Sequence, residues 1–471
     1  MGFFSSLGVS DSPSLPYFNT GTLVDLLVGK FVPGAGGAMY LNGGIGTTNA
    51  VVGPPQAFKS TTDNGLIVNA VARIPDAEAL IYDTEGSLKD KARILEMSSL
   101  YRDDPIKRKA HLEDLDKRII VVGRSQYPYL DDFDELVKRV YAERKAKIKD
   151  YMAEIPLLDA LTGKPMIIVK PLFIVIDSLS KAKVKVSEDM LDKHGASSSE
   201  TNTMAMREAL AKNRITGKYP YYAETAGIYF SMTAQIANKI EMNSYLPPSK
   251  DIQFMRQGEK LKGVGSDFLY LVSTHLEVRS PKVLWDANKE CEYPLPSGIT
   301  SATEMNEVTM TVVRCKNHGA GTQFKPVLSQ SFGYEPDLTN YHYLRTMGYY
   351  GLGTNKVHPR PCLLPDMSFT RKTAYEKLAD HRVSRAVEIL AQLCFIQSCW
   401  TINNATVPFD IAPEKMAESL LKTSFGMSEI LDSRGWWSYG KNDTQYLSLY
   451  DILGIVNNTY VPKLHSAGSS K

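Results

Sequence analysis

At 471 residues, with 43% apolar and 23% charged side chains, the chain has ordinary globular composition, enough for two to four domain-sized units and unlike a disordered tail. Lys and Arg number 54 against 52 Asp and Glu, a formal net charge of +2, which argues against a strongly basic nucleic-acid coat and leaves room for a local basic surface. Cys291, Cys315, Cys362, Cys394 and Cys399 are widely spaced without a C-x-x-C pair, which argues against a disulfide scaffold and a zinc ribbon. The text also lacks a membrane-length apolar run and a secretory leader pattern, so it is read as soluble and intracellular.

Residues 1–22 are polar and punctuated by Pro and Gly, and read as an arm. From Leu23 to Val52, short apolar pieces broken by glycines suit strands and turns packed close to another backbone. The apolar runs Thr48–Val52, Ala79–Tyr82, Ile119–Val122, Leu172–Ile176, Gly227–Met232 and Phe268–Val272 read as buried strands. Helical text lies between most of them, at Ser60–Arg73, Asp131–Ala153 and Asn202–Lys212. This alternation predicts an α/β fold: a mainly parallel twisted sheet flanked by helices, with ligands at the carboxyl ends of the strands. Past Tyr341 the chain turns aromatic and rich in Gly and Pro, followed by helical text at Lys372–Cys399 and Pro413–Thr423. A boundary is expected near 340, dividing a core (23–340) from a smaller C-terminal α+β domain (341–471). The aromatics of that part are expected to be core more than partner surface.

The run Gly53-Pro54-Pro55-Gln56-Ala57-Phe58-Lys59-Ser60-Thr61 follows the first of these strands and opens a helix. It is a phosphate-binding P-loop in all but one position, Phe58 standing where the motif has its second glycine. Such a loop turns backbone N–H groups toward phosphate oxygens, its lysine reaches the outer phosphates, and its hydroxyl helps hold Mg²⁺. Alone, the relaxed spacing is weak, and context decides. The next strand ends in Tyr82-Asp83-Thr84-Glu85, where a carboxylate can polarise an attacking water. Leu172-Phe173-Ile174-Val175-Ile176-Asp177 has the Walker B form, an apolar strand ending in the Asp that orients Mg²⁺. Taken singly, Glu85 reads equally as a strand cap and Asp177 as a helix cap. In this order, each ending a strand, the three make a nucleoside-triphosphate site with Mg²⁺; ATP is what the family resemblance adds.

With these motifs in place, the chain resembles the RecA family of DNA-strand-exchange ATPases, and within it the phage UvsX recombinases, most clearly from Gly21 to Phe332 with a further patch near Trp436. That family carries Phe-Lys-Ser in its P-loop, which makes Phe58 a family variant. The resemblance implies a RecA-like ATPase core in which Glu85 activates water and Gln235, in Phe230-Ser-Met-Thr-Ala-Gln235, senses the γ-phosphate; UvsX proteins carry histidine near there, so Gln235 is closer to the cellular pattern. Arg314 and Lys316 resemble the basic pair offered to ATP in a neighbouring subunit.

It also implies two DNA-binding loops. The first, 183–202, contains Lys185 and Lys193. The second, 237–266, contains Lys239, Tyr245, Lys250, Phe254, Arg256, Lys260 and Lys262, a mixture of cations and aromatic faces that suits single strands. A solvated surface loop is the plainer reading of either. The implied function is an ATP-dependent recombinase forming a helical homo-oligomeric filament on single-stranded DNA, pairing it with double-stranded DNA, and working with single-strand-binding and loader proteins. Its implied place is the host-cell cytoplasm as a phage-encoded protein. The alternatives are a ring-forming replicative helicase on the same core and a catalytically idle filament-forming relative.

Overall fold

The computed structural model describes residues 15–34, 37–86, 90–194, 203–239, 250–296, 298, 300–317, 319–348, 352, 358–396, 398, 418–423, 425–440 and 445–460. β1 (Lys30–Pro33) and β2 (Met39–Asn42) form an antiparallel ribbon. β3 (Thr48–Gly53), β4 (Glu78–Asp83) and β5 (Ile119–Gly123) belong to the main sheet, and β6 (Met152–Leu158) and β7 (Pro165–Val169) make a separate hairpin. The main sheet is completed by β8 (Leu172–Asp177), β9 (Ile228–Asn238), β10 (Glu259–Leu261), β11 (Thr274–Val283), β12 (Met305–Cys315), β13 (Gln323–Phe324), β14 (Val327–Ser329) and β15 (Gly333–Tyr334). Its order is β15-β14-β12-β11-β3-β9-β8-β4-β5, with β10 on β9 and β13 on β12. The six strands from β11 to β5 are mutually parallel, and β12 to β15 extend the sheet antiparallel. The α/β architecture expected from the sequence is therefore present.

The alternation of each central strand divides the core into two layers. Val51, Phe173 and Val175 face one layer, covered by Leu66, Ile67 and Val71 of the helix Lys59–Arg73. Ala50, Val52, Ile174 and Ile176 face the other, under Leu130, Phe133 and Val137 of the helix Leu130–Ala146 and Tyr219 and Tyr222 of the helix Tyr219–Ala226.

Five of the six expected strands form. The sixth, Phe268–Val272, is instead a short helix, Asp267–Leu271, which buries Phe268 and Leu269 and leaves Tyr270 exposed. The strand beside β3 begins two residues after that run, at Thr274. The helix expected over Asp131–Ala153 ends at Ala146, because Lys147 leaves helical geometry (φ −109°, ψ 27°) before β6 begins. The helix expected at Lys372–Cys399 breaks at Asp380, whose side chain accepts hydrogen bonds from the backbone N–H groups of Arg382 and Val383 and caps a new helix, His381–Phe395.

Position 340 lies inside the helix Pro336–Met347. Tyr341 and Trp437 are buried, Trp437 lies against Phe18 with ring centroids 5.8 Å apart, and Tyr446 stacks on Tyr40 at 5.2 Å. The C-terminal part thus shares a core with the chain's first described residues. Past 348 its described residues form helices, turns and one isolated bridge, Arg434–Tyr446, without a sheet of their own.

Candidate nucleotide site

Parallel register brings the sequence motifs to one edge of the sheet. Gly53 stands level with Gln235 across β3 and β9, and Asp83 level with Asp177 across β4 and β8. At Gly53 a Cβ would lie 2.2 Å from the carbonyl oxygen of Val278, so any side chain there would push the loop off β11. Phe58 adopts the left-handed conformation (φ 61°, ψ 27°) that the motif's glycine would supply freely. For an L-residue this costs about 1–2 kcal/mol, and packing of its half-buried ring against the core offsets it.

Lys59 is buried at the start of its helix, and its Nζ donates to the carbonyl oxygen of Pro54 at 2.7 Å, closing the loop on itself. Burial lowers its pKa, opposed by the charges of Asp177 and Glu85. Ser60 Oγ donates to Asp177 Oδ1 at 2.8 Å, and Thr233 Oγ1 donates to the same oxygen at 2.6 Å. Burial raises the Asp177 pKa, and these two hydrogen bonds pull it back. Asp177 Oδ2 is buried without a hydrogen-bond partner among the described residues. A hydroxyl beside a carboxylate that has an uncommitted oxygen is the hard-oxygen donor set that Mg²⁺ takes, so Ser60 and Asp177 fit that ion.

Glu85 is exposed, and its Oε1 accepts a hydrogen bond from Ser178 Oγ at 3.2 Å. Its backbone is aimed by Asp83, whose Oδ1 accepts from the N–H groups of Glu85 (3.0 Å) and Gly86 (2.8 Å). Thr84 fastens this turn to β8: its Oγ1 accepts from Ser178 N at 2.7 Å and donates to Ser178 O at 3.0 Å. Pro55 through Thr61, Glu85, Ser178, Thr233 and Gln235 line one pocket of about 520 Å³, which continues to Asn64, Arg93 and Met97.

Sequence reasoning missed Thr233 and Ser178. The signal for Thr233 was present, because Ser231, Thr233 and Gln235 recur every second residue in an otherwise apolar strand and so share one face.

Arg314 and Lys316 are not brought to this pocket. They lie toward the amino ends of β3 and β11, Arg314 level with His275 and Ala50 and Lys316 level with the start of β3, roughly 10 and 17 Å along the strand direction from the P-loop edge. There Arg314 Nη1 donates to Leu269 O at 2.5 Å and Lys316 Nζ to Leu271 O at 3.1 Å.

Of the first loop, Lys185 and Lys193 fall in a helix, Lys185–His194, with Lys185 paired to Asp132 at 2.5 Å and Lys193 exposed. Residues 195–202 and Tyr245 lie outside the described residues. In the second loop Lys239 pairs with Asp251 at 2.6 Å, while Lys250, Phe254, Arg256, Lys260 and Lys262 are exposed. Its returning arm is β10, which pairs Lys260 with Ala237 and Leu261 with Ile236, after which Lys262 N donates to Gln235 O at 2.8 Å. Gln235 is held from its other side as well, its backbone N–H donating to Ser180 Oγ at 2.8 Å.

Compared with known proteins, the chain matches no family model and no curated protein. No helix among the described residues is long and apolar enough to cross a membrane.

Proposed function

We propose that the protein is an ATP-dependent DNA recombinase of the RecA type, assembling as a helical filament on single-stranded DNA. One observation carries this reading: the strand edge that gathers Lys59, Ser60, Asp177, Glu85 and Gln235 around one pocket is hydrogen-bonded at Gln235 to an exposed basic hairpin. A nucleotide-binding edge coupled to a phosphate-tracking surface is what ATP-controlled DNA binding requires.

In this mechanism Lys59 and the loop N–H groups hold the triphosphate, and Glu85 orients and polarises the attacking water. Mg²⁺ held by Ser60, and by Asp177 through water, would neutralise phosphate charge. Gln235 contacts the γ-phosphate and links it to the hairpin. Arg314 and Lys316 sit on the far edge of their own sheet, which supports a role at a neighbour's triphosphate and hence a site completed between subunits.

Electron microscopy with single-stranded DNA and a slowly hydrolysed ATP analogue tests the reading. Open helical filaments are expected. Closed rings would transfer the same chemistry to a helicase, and the absence of any ATP-dependent assembly on DNA would overturn the proposal.

A further inference from the structure

A lysine closed to solvent is rare unless it is paired. Lys212, within the helix Met204–Thr216, is one, its side chain having no exposure. Its Nζ meets Glu208 Oε1, one turn back, at 2.6 Å, as an ion pair without an aligned hydrogen bond. Burial lowers the Lys212 pKa, and Glu208 raises it again. Glu208 keeps 24% of its side-chain exposure, so the pair turns its acidic end toward water and its ammonium inward. A charge turned inward costs stability that an apolar residue at the same place would not, and its surroundings show what it holds.

Those surroundings come from the hairpin and from the nucleotide edge. Gly263, in the hairpin's returning arm, has φ +64°, and a Cβ built there would lie 3.6 Å from Lys212 Nζ, 3.6 Å from Ser180 O and 3.8 Å from Glu208 Oε1. Two residues on, a Cβ at Gly265 would fall 2.2 Å from Asn213 Nδ2, so the arm lies directly against the helix. Ser180 belongs to the turn that follows Asp177. Its Oγ accepts from Gln235 N, and beside it Leu179 N donates to Thr233 O, both at 2.8 Å. The turn after Asp177, the arm of the basic hairpin and the helix that follows the first expected DNA loop thus converge on Lys212. In so closed a junction an ion pair is little screened by salt, and separating its members as one wall moves is costly. We infer that Lys212, held by Glu208, is a positioning residue that makes these three elements shift together, so that a single strand on the hairpin resets Gln235 and the turn after Asp177 and speeds hydrolysis. The inference rests on the recombinase reading of the site.

The test uses the full-length protein, Mg-ATP, and oligothymidine as the single strand. Lys212→Met keeps the unbranched stem and removes the charge, and Glu208→Gln removes its partner where water reaches. Either change should cut the stimulation of hydrolysis by oligothymidine about 5- to 100-fold, while ATP binding and hydrolysis without DNA stay near the parent's. The double variant should do no worse than the more affected single one, since both remove the same pair. The salt slope of single-strand binding should remain parental, because Lys212 does not reach solvent to neutralise a phosphate. Hydrogen exchange reads the coupling without turnover. A slowly hydrolysed ATP analogue, without DNA, should change exchange at both 208–213 and 262–265 in the parent, and in Lys212→Met only at 262–265, which stays bonded to Gln235. Parental stimulation in both variants, additive losses, a flattened salt slope, or a response at 208–213 that survives Lys212→Met overturns the assignment. So does an equal loss of hydrolysis with and without DNA, which marks an ordinary structural role. Should Lys212→Met fail to fold, Glu208→Gln carries the same comparisons. A parent whose hydrolysis ignores DNA defeats the recombinase reading itself, a different result from a parent that is stimulated and variants that are stimulated equally.

Discussion

The two ends of the central sheet are built differently. At the carboxyl end, four strands bring Lys59, Ser60, Glu85, Thr233 and Gln235 to one pocket, with Asp177 buried behind Ser60 and Thr233 and accepting from both hydroxyls, Ser178 donating to Glu85, and Lys59 tied to the carbonyl of Pro54. At the amino end, Arg314 and Lys316 meet only the backbone carbonyls of Leu269 and Leu271 among the hydrogen bonds described for their side chains. Side chains at the first end meet other side chains across four strands, whereas the cations of the second rest on nearby backbone carbonyls, Arg314 also lying over the Tyr270 ring at 5.4 Å. On the proposed function, one end can bind nucleotide alone and the other acts only on a second subunit.

The largest expected effect comes from the carboxyl end. Lys59→Ala removes both the phosphate-reaching cation and the tie to Pro54, and ATP hydrolysis should fall below detection. Glu85→Gln removes only the water-polarising carboxylate, so hydrolysis should drop about 10²–10⁴-fold while nucleotide binding stays near the parent's. Single-turnover hydrolysis and equilibrium binding, measured side by side, check both. Parental turnover by Glu85→Gln would remove its catalytic assignment.

Next comes the amino end. Arg314→Ala with Lys316→Ala should keep nucleotide binding by the free subunit and lose DNA-stimulated hydrolysis, since on the proposed function these cations serve a neighbour. Mixing this protein with Lys59→Ala should restore part of the activity at junctions where intact halves meet. If co-assembly is confirmed and every mixture stays inactive, the division of labour between the two ends is wrong.

A smaller effect is expected from the hairpin. Replacing Lys250, Arg256, Lys260 and Lys262 by alanine leaves up to four DNA phosphates without a cation. The log–log salt dependence of single-strand binding should then flatten by roughly 0.7 for each phosphate no longer neutralised, about one to three units in all. Hydrolysis without DNA should persist. A parental salt slope would make the hairpin an ordinary surface.

The smallest effect concerns Asp63, which sits behind the pocket with Oδ1 accepting from Ser231 Oγ at 2.5 Å and Oδ2 unpartnered among the described residues. Burial, followed by the charge of Asp177, raises its pKa to about 7, against a partial lowering by Ser231. A carboxyl raised in the folded state destabilises the fold progressively as pH climbs from about 4, its ordinary value, to about 7. Asp63→Asn removes that penalty, so its stability relative to the parent should improve between pH 5 and pH 8, by roughly 1–3 kcal/mol. Urea midpoints at the two pH values report it, and an identical difference at both would show that Asp63 does not titrate there.

The carboxyl end was far more legible in sequence than the amino end. Runs such as Leu172–Asp177 announce a buried strand by composition and end on a candidate site residue, so the strand and the candidate were read together. The amino end hides its elements. Phe268–Leu271 is too short to display a helical period, and β11, which follows it, buries His275 and Glu277, so hydropathy gave no sign of a strand. The helix Pro105–Arg118 buries only Leu115 and was invisible to periodicity, although Asp104 before Pro105 is a helix-start signal that could have found it.

The return of β10 onto β9 has a mechanical consequence. A free segment of some thirty residues absorbs a displacement at its root as a change in its own shape, and little reaches the far side. Three residue pairs between β9 and β10, with the bond from Lys262 to Gln235, take that slack out of the returning arm. On the proposed function, movement of Gln235 is then carried to Lys260 and Lys262 as the shift of a paired ribbon, a stiff crank that converts a small change beside the pocket into a change in where positive charge is held.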